Sequence, residues 1–321
     1  MAGRRVVLRL RIRRFMCEDA SCGRRTLVEQ ITGLTRRHRQ RTERMRSALA
    51  EAGLAVAGRA GARLADVFGA RASRNTVLRP VDALPEPQPR TPWVVGVDEY
   101  AMREGRVHGA VLVDAGTRRP VDLLPDREAG TAAAWPAERP GTEAVCRDRA
   151  PFFAEGAGMG APTAVQVAGR FHLRRNLGEA AERCIFRHRS GPRATTTETA
   201  PERTEGQAPA DGGSPWPAGH RFADRTRVKH ATVHAFERMI TELQGGRLPQ
   251  WTEAVRADDL PSLPAFANGL ERDLAVVTAG LTLPWSSGVV ERHVDRIKML
   301  KRQRYGRAGF ALLRRRGLLA S

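Results

Sequence analysis

Three acidic residues, Asp98, Asp148 and Glu291, stand where this chain could do metal chemistry. Asp98 closes a short β-branched run, Val94 to Val97, and Asp148 follows another strand-like run, Glu143 to Cys146, after a single arginine. A carboxylate on the last residue of a buried strand sits at the rim of a sheet, held rigidly yet open to a substrate. One such Asp is a common turn former. Two strands ending alike can present two carboxylates at one edge, and hard oxygen ligands of that kind suit Mg²⁺ or Mn²⁺. Glu291 lies one turn into a helical stretch, followed on the same stripe by Asp295, Lys298 and Arg302. An acid in a first helical turn also complements the helix dipole. The functional reading is a third metal-directed carboxylate, with Lys298, Lys301 and Arg302 gripping phosphates beside it.

The elements that must position these groups follow from runs and breakers. Val94 to Val97, Val107 to Val113 and Pro120 to Leu124 read as three consecutive strands, the second closed by Asp114-Ala115-Gly116. A short helix is expected over Arg127 to Glu138, weakened by Pro136. Phe152 to Gly158 reads as a helix, Ala164 to Ala168 as a strand and Leu173 to His188 as a basic helix. Three antiparallel strands followed by alternating helices and strands is the order of a ribonuclease-H-like α/β domain.

The 321 residues allow about two domains with extensions. The chain holds 54 Lys+Arg against 35 Asp+Glu, a net charge of +19. Lysine occurs only at 229, 298 and 301, so the cations are nearly all arginine, as a GC-rich genome would load them. Such bias explains Arg over Lys but not the excess of base over acid, which implies a polyanionic partner, most simply nucleic acid. No apolar run approaches the roughly 20 residues needed to span a bilayer, and the start is too charged for a signal peptide. A cytoplasmic or nucleoid-associated protein is expected.

Before the core, residues 4 to 15 alternate Val, Leu and Ile with Arg and read as a strand with one basic face. Cys17 and Cys22 then form half of a zinc site, with His38 the one nearby extra ligand; structural zinc wants four. Residues 36 to 57 read as a helix, Ala60 to Phe68 as another, Gly69 as a turn and Ser73 as the N-cap of a helix from Arg74. That is a helix-turn-helix pattern, with Arg74, Asn75, Thr76 and Arg79 as the groove-facing set and Pro80 expected to kink the second helix early. An ordinary helical hairpin is the competing reading. The expected organisation is therefore 1–35 a partial zinc-binding remnant, 36–84 the helix-turn-helix module, and 85–92 a Pro-rich linker. The core's first part spans 93–188, then 189–221 is a low-complexity disordered segment, 222–283 a helical insertion, and 284–321 a C-terminal helix completing the core.

With these stretches in view, the chain resembles transposases of the ISL-three family of bacterial insertion sequences. The motifs are GVDEYAMREGRVHGAVLVD, RRPVDLLPDREA, VCRDR, AVQVAGRFHLRRNL, DLPSLPAFANGLERDL and LTLPWSSGVVERHVDRIKMLKRQRYGRAGFALLRRR. The resemblance implies a DDE recombinase with a ribonuclease-H-like core, its acidic triad falling on Asp98, Asp148 and Glu291. It implies two Mg²⁺ (or Mn²⁺) ions, Asp98 bridging both, and cleavage and strand transfer at insertion-sequence ends. The partners are double-stranded DNA, as terminal inverted repeats and target, and a second copy of the chain as a homodimer on DNA. Four departures read as a truncated or decaying copy: no Cys pair ahead of Cys17, Gly169 where the family has Asp before RFH, a shortened segment around Trp135, and a shorter region from Arg189 to Ala235 lacking a further helix-turn-helix. The alternatives are a non-catalytic transposase derivative that represses at inverted repeats, and a nuclease or resolvase of the same fold.

Overall fold

The computed structural model describes residues 9–35, 40–88, 90–103, 107–189, 231–257, 262–303 and 309–320. The low-complexity segment, His38 and most of the residues 4–15 stretch's first half lie outside them. Among the described residues of the expected basic strand, β1 (Arg14–Met16) forms, pairing antiparallel with β2 (Thr26–Val28). Leu10 and Ile12 are exposed, so the alternation has no apolar surface to settle against.

The N-terminal module is two helices, α1 (Glu43–Val67) and α2 (Arg74–Asp82). Thr42 caps α1 by accepting from the Met45 N–H, and Ser73 caps α2 by accepting from the Thr76 N–H at 3.2 Å. α1 is kinked at Ala57, whose φ of 61° lies in a region alanine seldom enters. The faces meet through glycine: a Cβ on Gly53 would come within 2.7 Å of Val81, and one on Gly61 within 2.9 Å of Val77. Pro80 does not cut α2 short. It forfeits a single bond in the last turn, and the Ala83 N–H still reaches the Arg79 carbonyl.

The core is a five-stranded mixed sheet, ordered β5-β4-β3-β6-β7. β3 (Val94–Arg103), β4 (Val107–Asp114) and β5 (Arg119–Leu124) are antiparallel; β6 (Ala144–Arg147) joins β3 in parallel and β7 (Val165–Ala168) joins β6. The expectation that β3 ends at Asp98 needs correction. Its parallel neighbour stops at Val97↔Arg147, but β4 holds β3 onward through Asp98↔Val111 and Tyr100↔Gly109. Asp98 therefore sits inside one strand and just past the end of the next.

Alternation decides what Asp98 faces. Val95 and Val97 point into a core with Trp135 of α3 (Ala129–Ala137) and Phe153 of α4 (Pro151–Gly160). Tyr100 points to the opposite face, into a core with Val290, Val294 and Ile297 of α10 (Gly288–Arg302). Asp98 shares that parity. Gly96 does too, and a Cβ there would lie 2.5 Å from Val290 Cγ2, so glycine lets α10 come down onto β3.

α5 (Arg170–Arg189) leaves β7 directly. The insertion follows as α6 (231–242), α7 (Leu248–Ala257), α8 (Leu263–Glu271) and α9 (Leu274–Thr282). Its apolar core joins Phe236, Trp251, Leu263, Leu270 and Leu281 to Leu173 and Leu177 of α5. α9 also lies against the sheet edge: a Cβ on Gly280 would meet the Ala168 carbonyl at 2.5 Å. The single C-terminal helix expected over 284–321 is two, α10 and α11 (Phe310–Leu319), the second opening at Gly309. No helix among the described residues is long and apolar enough to cross a membrane.

Candidate active site

Asp98 is buried, and its Oδ1 accepts from the Glu99 N–H at 2.7 Å. Its Oδ2 lies 3.7 Å from Nε2 of His172, which stands in the first turn of α5, four residues past the end of β7. His172 Nε2 is also 3.1 Å from Oε1 of Glu291, in the first turn of α10. Ligand atoms of Asp98, His172 and Glu291 all lie within 4.8 Å of one another, the one such group among the described residues. Asp148 follows β6 at the same rim and its Oδ1 accepts from the Ala150 N–H at 3.1 Å, opening α4.

Electrostatics ties the four together. Burial raises the Asp148 carboxyl above its usual range and the charge of Asp98 adds to this, partly opposed by the Ala150 N–H. Burial also raises Glu291, with Asp98 again the neighbouring charge. His172 is raised first by the Asp98 carboxylate facing it at 3.7 Å, against its own burial, and then by the charges of Glu291 and Asp148. The site thus concentrates negative charge in a low-dielectric pocket and holds one imidazole between two of the carboxylates. Glu291 Oε1 and His172 Nε2 are buried, yet neither makes a hydrogen bond of normal geometry.

The supports for these groups come from far along the chain. The Arg170 guanidinium donates to the carbonyls of Leu283 at 2.8 Å and Pro284 at 2.9 Å, and its backbone N–H reaches Ser286 Oγ at 3.3 Å. That fastens the start of α5, and so His172, to the turn that launches α10 and Glu291. Arg147 and Arg149, on either side of Asp148, both approach Asp273 Oδ2 at 3.6 Å; Arg147 also donates to Gln166 Oε1 at 2.7 Å, and Arg149 to the Gly269 carbonyl. The helical insertion therefore braces the Asp148 segment.

Residues 95–206 match the family model described as Transposase, of the DDE type found in ISL-three elements. Over that stretch the chain is similar to transposases of the ISL-three family. The match takes in Asp98, Asp148 and His172 and ends short of Glu291, so the matched stretch meets Glu291 only through the fold. No curated protein and no solved structure matches the chain.

The remaining expected residues are dispersed. Arg74, Asn75 and Arg79 are exposed on α2 and Thr76 is half-buried, well apart from the carboxylates in sequence. Lys298 bonds Asp295 Oδ1 at 3.0 Å, while Lys301 donates to the Ala101 carbonyl of β3 at 3.1 Å, and Arg302 is exposed. Cys17 and Cys22 are free thiols, and no group of three metal-binding side chains includes them among the described residues. Gly169, where the resemblance expects Asp, packs on Ser287 so closely that a Cβ would collide with the Ser287 hydroxyl. His172, Arg147, Arg170 and Asp273 were not singled out from sequence. His172 carried a usable signal: a polar residue just past a buried strand, at the same rim as the two aspartates.

Proposed function

We propose that the chain is a DDE transposase with a ribonuclease-H-like core, cutting DNA at insertion-sequence ends and joining the freed 3′ end to a target. One observation carries the reading: in a segment of transposase family, Asp98 and Glu291 converge with His172 within 4.8 Å, with Asp148 electrostatically coupled to Asp98.

The residues fit divalent metal. The donors are mostly hard carboxylate oxygens, and two of the buried ligand atoms, Glu291 Oε1 and His172 Nε2, lack a hydrogen-bond partner of normal geometry. Asp98, Asp148 and Glu291 would hold Mg²⁺ or Mn²⁺, with His172 beside them. When bound, such ions lower the pKa of water or a 3′-hydroxyl and offset charge on the leaving oxygen. The chain's own groups do the rest. Asp98, fixed within β3 and accepting from Glu99, sets the centre of the site. Asp148 is oriented by Ala150, and Glu291 by the seating of α10 on Gly96. Lys298 and Arg302, on the Glu291 stripe, draw the phosphate backbone toward the carboxylates. The exposed Arg74, Asn75 and Arg79 of α2 serve as the contact set for the terminal inverted repeat, and two chains act together on paired ends.

The test is nicking of duplex DNA bearing the flanking inverted repeat. Wild type with Mg²⁺ is expected to nick and to join 3′ ends; Asp98→Asn is expected to bind the same DNA and cut nothing. Nicking by Asp98→Asn overturns the assignment. Binding without nicking by wild type favours the non-catalytic repressor instead.

A further inference from the structure

The last helix carries three consecutive arginines that are spent entirely on the protein itself. Arg316 is fully buried. Its Nε donates to the Leu54 carbonyl at 2.8 Å, its Nη2 to the Ala55 carbonyl at 2.9 Å and to Gln303 Oε1 at 2.6 Å. Leu54 and Ala55 occupy the turn before the α1 kink at Ala57, where a helix's carbonyls lose their partners. A buried cation there serves as the C-cap of the first half of α1. Arg315 does the same for α2, donating to the Leu84 carbonyl at 2.6 Å and the Val81 carbonyl at 3.4 Å. Arg314 faces the sheet and bonds Asp122 of β5 at 2.6 Å, with Glu86 at 2.9 Å. Gly317 brings α11 onto β5, and Leu312 enters an apolar cluster with Leu54, Leu78 and Val81. α11 thus grips the ends of both N-terminal helices on one side, and on the other the sheet and, through Gln303, the end of the helix bearing Glu291.

From this we infer that α11 is the rigid coupling between the α1–α2 module and the carboxylate site, with Arg315 and Arg316 as its positioning residues. On the proposed function, which this inference takes as its basis, the coupling fixes how far from the bound repeat the strand is cut. An arginine free to meet DNA would be exposed and unpaired; these two are neither.

The full chain is tested with Arg316→Met and, because that change can impair folding, with the milder Arg315→Gln. Hydrogen exchange without DNA is the first readout. Protection is expected to fall by about tenfold or more over residues 49–56 and 310–319 in Arg316→Met, and over residues 77–84 and 310–319 in Arg315→Gln, while β3 and β4 keep theirs. The second readout is the cut position on end-labelled repeat DNA: wild type cuts at one phosphate, whereas the variants bind within about threefold of wild type but cut at several positions or not at all. Unchanged protection in both variants overturns the coupling. A single unshifted cut despite lost protection overturns the positioning role. Loss of protection where wild type itself never cuts supports the coupling and removes the transposase reading alone.

Discussion

Replacing Asp98 by Asn should change stability with opposite sign at two pH values. Asp98 and Glu291 present ligand atoms within 4.8 Å. At an effective dielectric near 20, two unit charges at that separation repel by about 3 kcal/mol. Glu291 keeps part of its contact with water, so about 1–2 kcal/mol is the expected relief when Asp98 loses its charge. Opposing this, Asp98 Oδ2 lies 3.7 Å from His172 Nε2, and a protonated imidazole there attracts Asp98 by about 4 kcal/mol before the same discount. The signs follow from linkage. His172 is raised in the fold, so its contribution is present below its ordinary pKa and lost as pH climbs through the raised value. Asp148 and Glu291 are raised too, so their ionised forms weaken the fold as pH rises. In EDTA, denaturant unfolding should find Asp98→Asn less stable than wild type by about 1 kcal/mol at pH 6 and more stable by about 1–2 kcal/mol at pH 9. Mn²⁺ at the higher pH should stabilise wild type and leave the variant unchanged. An equal stability change at both pH values would refute the charge cluster.

Other consequences are separable. Lys298→Ala should weaken DNA binding evenly across sequences and lower the salt slope by about 1, read from binding isotherms at several salt concentrations. Asp273→Ala removes the one carboxylate that approaches the guanidinium of Arg147 among the described residues, a side chain only 2% exposed, and should cost about 3 kcal/mol in denaturant unfolding; cleavage should fall further than binding, because the Asp148 segment loses its brace. Native thiol labelling should modify Cys17 and Cys22 quickly and spare Cys146, whose thiol burial pushes up to about 12, together with buried Cys184. Slow labelling of Cys17 and Cys22 that chelator reverses would instead reveal bound zinc.

Strands were the most legible part of the fold, since β-branched runs bounded by Gly, Asp and Pro leave few alternatives. The true end of β3 is not legible in the run, because Asp98 reads as its boundary whereas pairing with β4 carries the strand past it. The edge that Asp98 and Asp148 share is legible in their two apolar runs, although β3 itself runs on past Asp98; that Glu291 reaches Asp98 depends on Gly96, a glycine whose role appears only once α10 lies across it. Asp273 had no local mark, and its partners Arg147 and Arg149 look like any arginines in an arginine-rich chain. The kink at Ala57 was equally silent, because alanine favours continuous helix and the buried Arg316 that serves the broken turn lies far away in sequence.

The convergence of the acids can be mapped by replacing Mg²⁺ with Fe²⁺ and locating hydroxyl-radical cuts in the polypeptide. Cuts are expected to cluster near residues 98, 148, 172 and 291, all suppressed by excess Mg²⁺ and absent in Asp98→Asn. Cuts confined to one of these segments, or unaffected by Mg²⁺, would contradict the convergence.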